Sequence, residues 1–333
     1  MIEPLTNLDE LIAALESPTN TLIIFHRNPD ADAVGSAFSL SRVLEQLGSP
    51  CRCICQEEVP QYLQFLMGDT QTSVLPEVVL SEFEPERIVT VDTASLSQMG
   101  TLADIFGERV DLMIDHHQSG SPYATQFYIR ENAAATGEII FDVIKQLASE
   151  ERITIDEEMC IGLYAAISGD TGCFRYSNVT PKTHIRAAEL VSSGIDCAEI
   201  NHRLFENKSL ERLRAQSAAI SNMELFANGK IAVVTFPYAL KAALGLEDED
   251  LGALVDIPRS LAGVEVALCI RQSLPEGKFR VSARSNGAYD VAALCRKFEG
   301  GGHEKAAGCT LVALDMDEAM HRIVSAIRLD EIE

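Results

Sequence analysis

Residues 21–47 read TLIIFHRNPDADAVGSAFSLSRVLEQL, and the fold can be argued outward from them. An apolar run rich in β-branched residues (21–25) gives way to a short loop carrying His26, Asp30 and Asp32, and a helical pattern follows over 35–47. Strand, loop, helix is the opening unit of an open α/β sheet, in which ligands bind beyond the carboxyl ends of the strands. Isolated carboxylates are costly to bury, so acid at that position is either solvated or neutralised by a cation.

Further short apolar runs stand at 51–55 (CRCIC), 87–91 (RIVTV) and 110–114 (VDLMI), with helix-like segments at 59–66 and 101–106 between them. The alternation predicts an α/β fold whose N-terminal domain is a parallel sheet with helices on both faces. Longer helices are predicted over 136–148 and 156–168. A charged helical stretch from about 182 to 224 reads as a connector. A second α/β block begins near Gly229, with strands at 230–236, 264–270 and 279–283 and helices at 289–298 and 315–328. The expected division is residues 1–190, a helical connector over 191–226, and a smaller C-terminal domain over 227–333, which suits a chain of 333 residues.

The formal net charge is −23. That surplus opposes a protein that holds long duplex nucleic acid by neutralising its phosphates, and leaves room for a short phosphorylated substrate gripped by a few local cations. No apolar run approaches the roughly 20 residues that cross a bilayer, so no membrane partner is expected. The segment MIEPLTNLDELIAAL has neither a basic start nor a cleavage site, and the expected compartment is the cytoplasm. Nine cysteines, an odd count set mostly in apolar stretches, agree with a reducing compartment. In CRCIC three thiols would share one strand face about 6–7 Å apart, which suits a buried face better than a tetrahedral metal site.

Acid and imidazole recur where the fold predicts ligands. Asp92 ends the RIVTV strand in VDTAS. Asp115, His116 and His117 follow VDLMI in DHHQSG, and Asp170 closes a helix in SGDTGCF. Each has an ordinary reading: NPD as a turn, DTAS and SGDTG as helix caps, Asp-His-His as a solvated or structural group. Their convergence on one crevice favours a shared task. Hard carboxylates with a few imidazoles and no thiolate suit Mn²⁺ or Mg²⁺. The number of ligands allows two ions, about 3.5–4 Å apart, clamping the attacking and leaving oxygens of a phosphoryl transfer. Asp92, on a strand expected to be central, is the candidate bridging carboxylate.

In combination and order these motifs resemble the DHH phosphoesterase family. HRNPDADAVGS resembles its first motif, VDTA its second, DHH its naming motif and SGDTGCFRYSN its fourth. DVAALCRKFEGGGHEKAAG, preceded by VSARS, resembles the glycine-rich signature of the DHHA1 domain, so the resemblance spans residues 22 to 310. Within the family the chain is most similar to the nanoRNase / pAp-phosphatase type of oligoribonuclease.

The resemblance implies two Mn²⁺ ions, or Mg²⁺ or another divalent cation in their place. His26, Asp30 and Asp92 would bind one; Asp32, Asp92, His116 and Asp170 would bind the other. Asp115 would orient an imidazole, and His117 would face the scissile phosphate as charge stabiliser or general acid. In the second domain Arg284, Ser285, Gly301, Gly302 and His303 would grip substrate phosphate. Gly300 to Gly302 would let a backbone approach it closely, and amides at the start of a following helix would act as donors. The chain departs from the family at Glu299, where a further glycine is common, and at Asn286, where a lysine often follows Arg-Ser.

The implied substrates are short RNA or dinucleotides and a nucleotide 3′,5′-bisphosphate, 3′-phosphoadenosine 5′-phosphate. A phosphodiesterase of linear or cyclic dinucleotides, a single-strand DNA exonuclease, and a non-catalytic nucleotide-binding regulator are the alternatives. Monomer and homodimer are both compatible with the sequence.

Overall fold

The computed structural model describes residues 2–69, 71–117, 121–251, 254–272, 274, 277–328 and 332. They divide into two compact units, Met1–Asn207 and Lys208–Glu333.

The first unit is built on six parallel strands: β1 (Glu3–Pro4), β2 (Thr21–Phe25), β3 (Cys51–Ile54), β4 (Arg87–Val91), β5 (Leu112–Asp115) and β6 (Gln126–Ile129). Their order is β1-β6-β5-β4-β2-β3, so β4 lies inside the sheet between β5 and β2. Alternate side chains face opposite ways along a strand, and both faces are buried. Ile23, Phe25, Val89, Val91 and Ile114 pack with the helices Leu8–Leu15, Ala31–Gln46, Thr136–Ser149 and Glu157–Asp170. Leu22, Ile24, Ile88 and Met113 face the shorter helices Pro76–Val79 and Leu102–Phe106. Cys51, Cys53 and Cys55 belong to the first of these cores. Burial pushes the Cys51 thiol up to about 12 and the Cys55 thiol up to about 11, so neither supplies a thiolate at neutral pH.

Two features shape the site, the first of them a departure from the sequence expectation. The helix predicted from residue 35 begins at Ala31, because the Asp30 carboxylate accepts the N–H groups of Asp32 and Ala33, both at 3.0 Å. Asp32 is therefore in the first helical turn rather than in a loop. That helix runs antiparallel to Glu157–Asp170 across a seam of small residues. A Cβ on Gly35 would lie 2.2 Å from the Gly162 carbonyl oxygen, and one on Gly169 would lie 2.8 Å from the Ala31 Cβ. The amino end of one helix thus meets the carboxyl end of the other, bringing Asp32 towards Asp170.

The second unit holds β7 (Met223–Phe226), β8 (Ile231–Phe236), β9 (Val266–Arg271), β10 (Lys278–Ser285), β11 (Gly301–His303) and β12 (Ala306–Val312), in the order β11-β12-β10-β9-β8-β7. Only β8 and β9 pair in parallel among these strands. Helices Val291–Arg296 and Met316–Ser325 cover one face; Leu210–Ser221 and Tyr238–Leu244 cover the other. The stretch expected as a connector is thus shared out: Cys197–Asn201 lies in the first unit and Leu210–Ser221 packs in the second.

The glycine run also departs from expectation. No helix follows it directly. Gly301, Gly302 and His303 form an edge strand paired with Gly308, Ala307 and Ala306, and a turn at 304–305 leads straight into β12. Among the described residues no helix is long and apolar enough to cross a membrane.

Candidate metal centre

His26 follows β2, Asp92 follows β4, and Asp115, His116 and His117 stand at the end of β5. Asp170 is the last residue of its helix. The left-handed backbone of Asp92, with φ +51°, turns the chain as it leaves β4; aspartate tolerates that conformation better than most residues. Asp32, Asp92, Asp115 and His116 are buried, and Asp30 is exposed.

Two imidazoles aim at these carboxylates. His26 Nδ1 lies 2.9 Å from the Arg27 carbonyl oxygen and His116 Nδ1 lies 3.2 Å from that of Ala133. With Nδ1–H donating there, each ring turns Nε2 inward as its lone-pair nitrogen. His26 Nε2 is 3.7 Å from Asp30 Oδ1 and 3.4 Å from Asp92 Oδ2. His116 Nε2 is 3.6 Å from Asp92 Oδ1, 3.8 Å from Asp32 Oδ2 and 3.1 Å from Asp170 Oδ2. Donor atoms of His26, Asp30 and Asp92 fall within 4.8 Å of one another, as do those of Asp32, His116 and Asp170. Asp92 gives one oxygen to each imidazole, the disposition a bridging carboxylate needs.

Asp115 takes a different part. Its Oδ1 accepts the backbone N–H groups of His116 and His117 at 2.7 and 3.2 Å, and lies 2.7 Å from His117 Nδ1. It orients the His117 ring.

Electrostatics agree with a site made for cations. Burial and the neighbouring Asp92 and Asp170 carboxylates push Asp32 well above the usual carboxylate range. Burial raises Asp170 also. Asp92 is pulled the other way, because His26, His117 and His116 outweigh its desolvation. Burial opposes charge on His26 and His116, yet the facing carboxylates hold both well above an ordinary imidazole. So much buried acid demands positive charge among it. Protons on imidazoles can supply it, and so can divalent cations bound by the oxygen-rich, thiolate-free donor set. The residues fit such ions.

All six candidate ligands are brought together. In the second unit, Arg284 on β10 pairs with Ala306 on β12, which pairs with His303 on β11, so Arg284 and His303 share one row of that sheet. Ser285 donates its hydroxyl to the Gly287 carbonyl at 3.2 Å. A Cβ on Gly302 would lie 2.4 Å from the Ala306 carbonyl oxygen, so the close ladder, with φ +136°, requires glycine there.

Sequence reasoning missed one group. The stretch Ala133–Gly137 threads through the site: Ala133 accepts from His116, and Asn178 Nδ2 donates to the carbonyls of Ala134 and Asp170 at 3.0 and 3.1 Å. The N–H groups of Thr136 and Gly137 donate to Asp32, and the Thr136 hydroxyl donates to Asp92. The available signal was a predicted helix start, ATGEI, with no capping side chain before it.

Residues 20–167 match the model of the DHH family, N-terminal domain, and residues 228–329 match the DHHA1 domain. Asp170 lies just beyond the first match. The chain is 31% identical to the bifunctional oligoribonuclease and PAP phosphatase NrnA of Thermus thermophilus, over 96% of this chain and 92% of that one. To the protein of the same name from Bacillus subtilis it is 26% identical, over 92% and 94%. An exopolyphosphatase-related protein from Bacteroides fragilis has the same fold, with a TM-score of 0.85 at 24% identity, covering 96% of this chain and 94% of that one.

Proposed function

The chain belongs to the DHH phosphoesterase family, and from that premise we propose a divalent-metal phosphohydrolase. It cleaves short oligoribonucleotides to mononucleotides and removes the 3′-phosphate of 3′-phosphoadenosine 5′-phosphate. The observation that carries the reading is Asp92, whose two oxygens face two separate imidazole–carboxylate groups. Near-full-length relatives named for these two activities support the substrate class.

His26, Asp30 and Asp92 would hold one ion; Asp32, Asp92, His116 and Asp170 would hold the second. Manganese ions, when bound, would polarise the phosphoryl oxygens and lower the pKa of water at the site. The protein's own groups do the rest. Asp115 fixes the His117 ring through Nδ1, which leaves Nε2–H directed to the other side as proton donor to the departing oxygen. Burial works against charge on His117, but Asp115 and Asp92 outweigh it and raise its pKa above that of an ordinary imidazole, which favours the protonated ring a general acid needs. Arg284 and His303, with Ser285 and the backbone of Gly301 and Gly302, would anchor a second phosphate of the substrate. Arginine suits that task because its fork matches phosphate oxygens.

The test pairs two variants on the dinucleotide pApA with Mn²⁺. His117→Ala is expected to slow turnover by about 10²–10⁴-fold while still binding Mn²⁺. Asp92→Asn is expected to lose both turnover and tight Mn²⁺ binding. Wild-type turnover by Asp92→Asn would overturn the assignment.

A further inference from the structure

The helix Thr136–Ser149 has no cap of its own: its N-cap residue is Ala135. A buried carboxylate from elsewhere takes that place. The Thr136 N–H donates to Asp32 Oδ2 at 2.6 Å and the Gly137 N–H donates to Asp32 Oδ1 at 2.8 Å. Ser36 Oγ, four residues along the Asp32 helix, donates to the same Oδ1 at 2.8 Å. Asp32 is held in one orientation by three donors and by the positive end of the helix dipole.

Thr136 also reaches the second carboxylate. Its hydroxyl donates to Asp92 Oδ1 at 3.1 Å, and the residue is fully buried. One residue thus contacts both carboxylates, by its backbone and by its side chain. The approach is tight, since a Cβ on Gly137 would lie 2.6 Å from the Ala166 Cβ.

We propose that Thr136 is a positioning residue whose hydroxyl fixes the Asp92 carboxylate with one oxygen towards His26 and the other towards His116. This deepens the reading of the site as a cation centre and rests on it. Oriented donors to a ligating carboxylate set its rotamer before the ion arrives, and loss of such a partner typically costs 10–100-fold in metal affinity. The role belongs to the hydroxyl and is separable from the backbone capping of Asp32, which any residue but proline at position 136 can perform.

The test uses the full chain with Thr136→Val and Thr136→Ser, Mn²⁺ binding by calorimetry, and pApA turnover. Valine keeps the β-branched shape and the N–H; serine keeps the hydroxyl. Thr136→Val is expected to fold, to bind Mn²⁺ about 10–100-fold more weakly and to regain turnover in part as Mn²⁺ is raised. Thr136→Ser is expected to restore wild-type affinity. Should Thr136→Val fail to fold by circular dichroism, Thr136→Ala carries the same comparison. Wild-type affinity in the variant lacking the hydroxyl would overturn the proposal, as would a serine variant no better than valine. A wild-type chain that binds no Mn²⁺ would overturn the cation-centre reading itself, a failure visible without any variant.

Discussion

Glu299 holds a left-handed backbone, with φ +58°, immediately before the glycine run. An L-residue with a Cβ pays about 1–2 kcal/mol for that conformation, and the family resemblance places glycine there. Glu299→Gly is therefore expected to stabilise the protein by roughly 0.5–1 kcal/mol, after the greater freedom of glycine in the unfolded chain is set against the relief. A denaturant midpoint that does not rise would contradict this. The other departure, Asn286, has a local explanation: its side-chain amide donates to the carbonyls of Arg259 and Val264 at 2.7 and 3.0 Å. Side chains that announce their own chemistry, such as His26, Asp92 and the Asp115–His117 triplet, could be picked out from the sequence. Thr136 could not. Its partners Asp32 and Asp92 lie 104 and 44 positions away, and nothing local distinguishes a site threonine from an ordinary first helical residue.

The helix pair Ala31–Gln46 and Glu157–Asp170 sets the distance between Asp32 and Asp170. Gly35→Ala would drive a methyl into the Gly162 carbonyl, 2.2 Å from the ideal Cβ position, and neither backbone can yield without spreading the pair. The expected cost is about 1–3 kcal/mol of stability, together with weaker Mn²⁺ binding. Unfolding and calorimetry check both, and unchanged Mn²⁺ affinity would show that the helix spacing does not govern the site.

The helix Thr136–Ser149 is tied down by Asp142. It accepts from Arg186 Nε and Nη2 at 2.9 and 2.7 Å and from Arg130 Nη1 at 2.5 Å. Burial alone would raise the Asp142 pKa, but the two guanidinium groups outweigh it and the value is lowered. A lowered carboxylate pKa adds stability above the unfolded value, and that stability is lost as pH falls through the folded one. Asp142→Asn is expected to cost about 1–3 kcal/mol at neutral pH, with the gap to wild type closing below about pH 4. A gap equally wide at pH 7 and pH 3 would contradict the sign.

Strands with strong apolar runs were legible, among them β2, β4 and β8. Those not named include the short β1 and β11 and the half-buried β6, and also the seven-residue β12, which alternates between more and less buried positions directly after the glycine run. An edge strand stands where a helix start is expected after the glycine run, because glycines at a close edge ladder look the same in sequence as glycines that precede a helix.

Two α/β units with a parallel sheet in the first follow from the alternation of periods along the chain, and the structure has that architecture. The boundary was less legible. Helices on either side of residue 207 are alike in composition, and only packing decides which core each joins. The net charge of −23 bears on substrate length, because a long polyanion is repelled by a protein of the same sign while a di- or trinucleotide needs only local cations.

Hydrolysis of 5′-labelled RNA of two, three, five and 24 nucleotides by the Mn²⁺-loaded full chain, with 3′-phosphoadenosine 5′-phosphate alongside, decides the matter. The expected result is fast turnover of the short RNAs, fading with length, and release of AMP from the bisphosphate. Equal or faster turnover of the 24-mer, or no turnover of any of them, would contradict it.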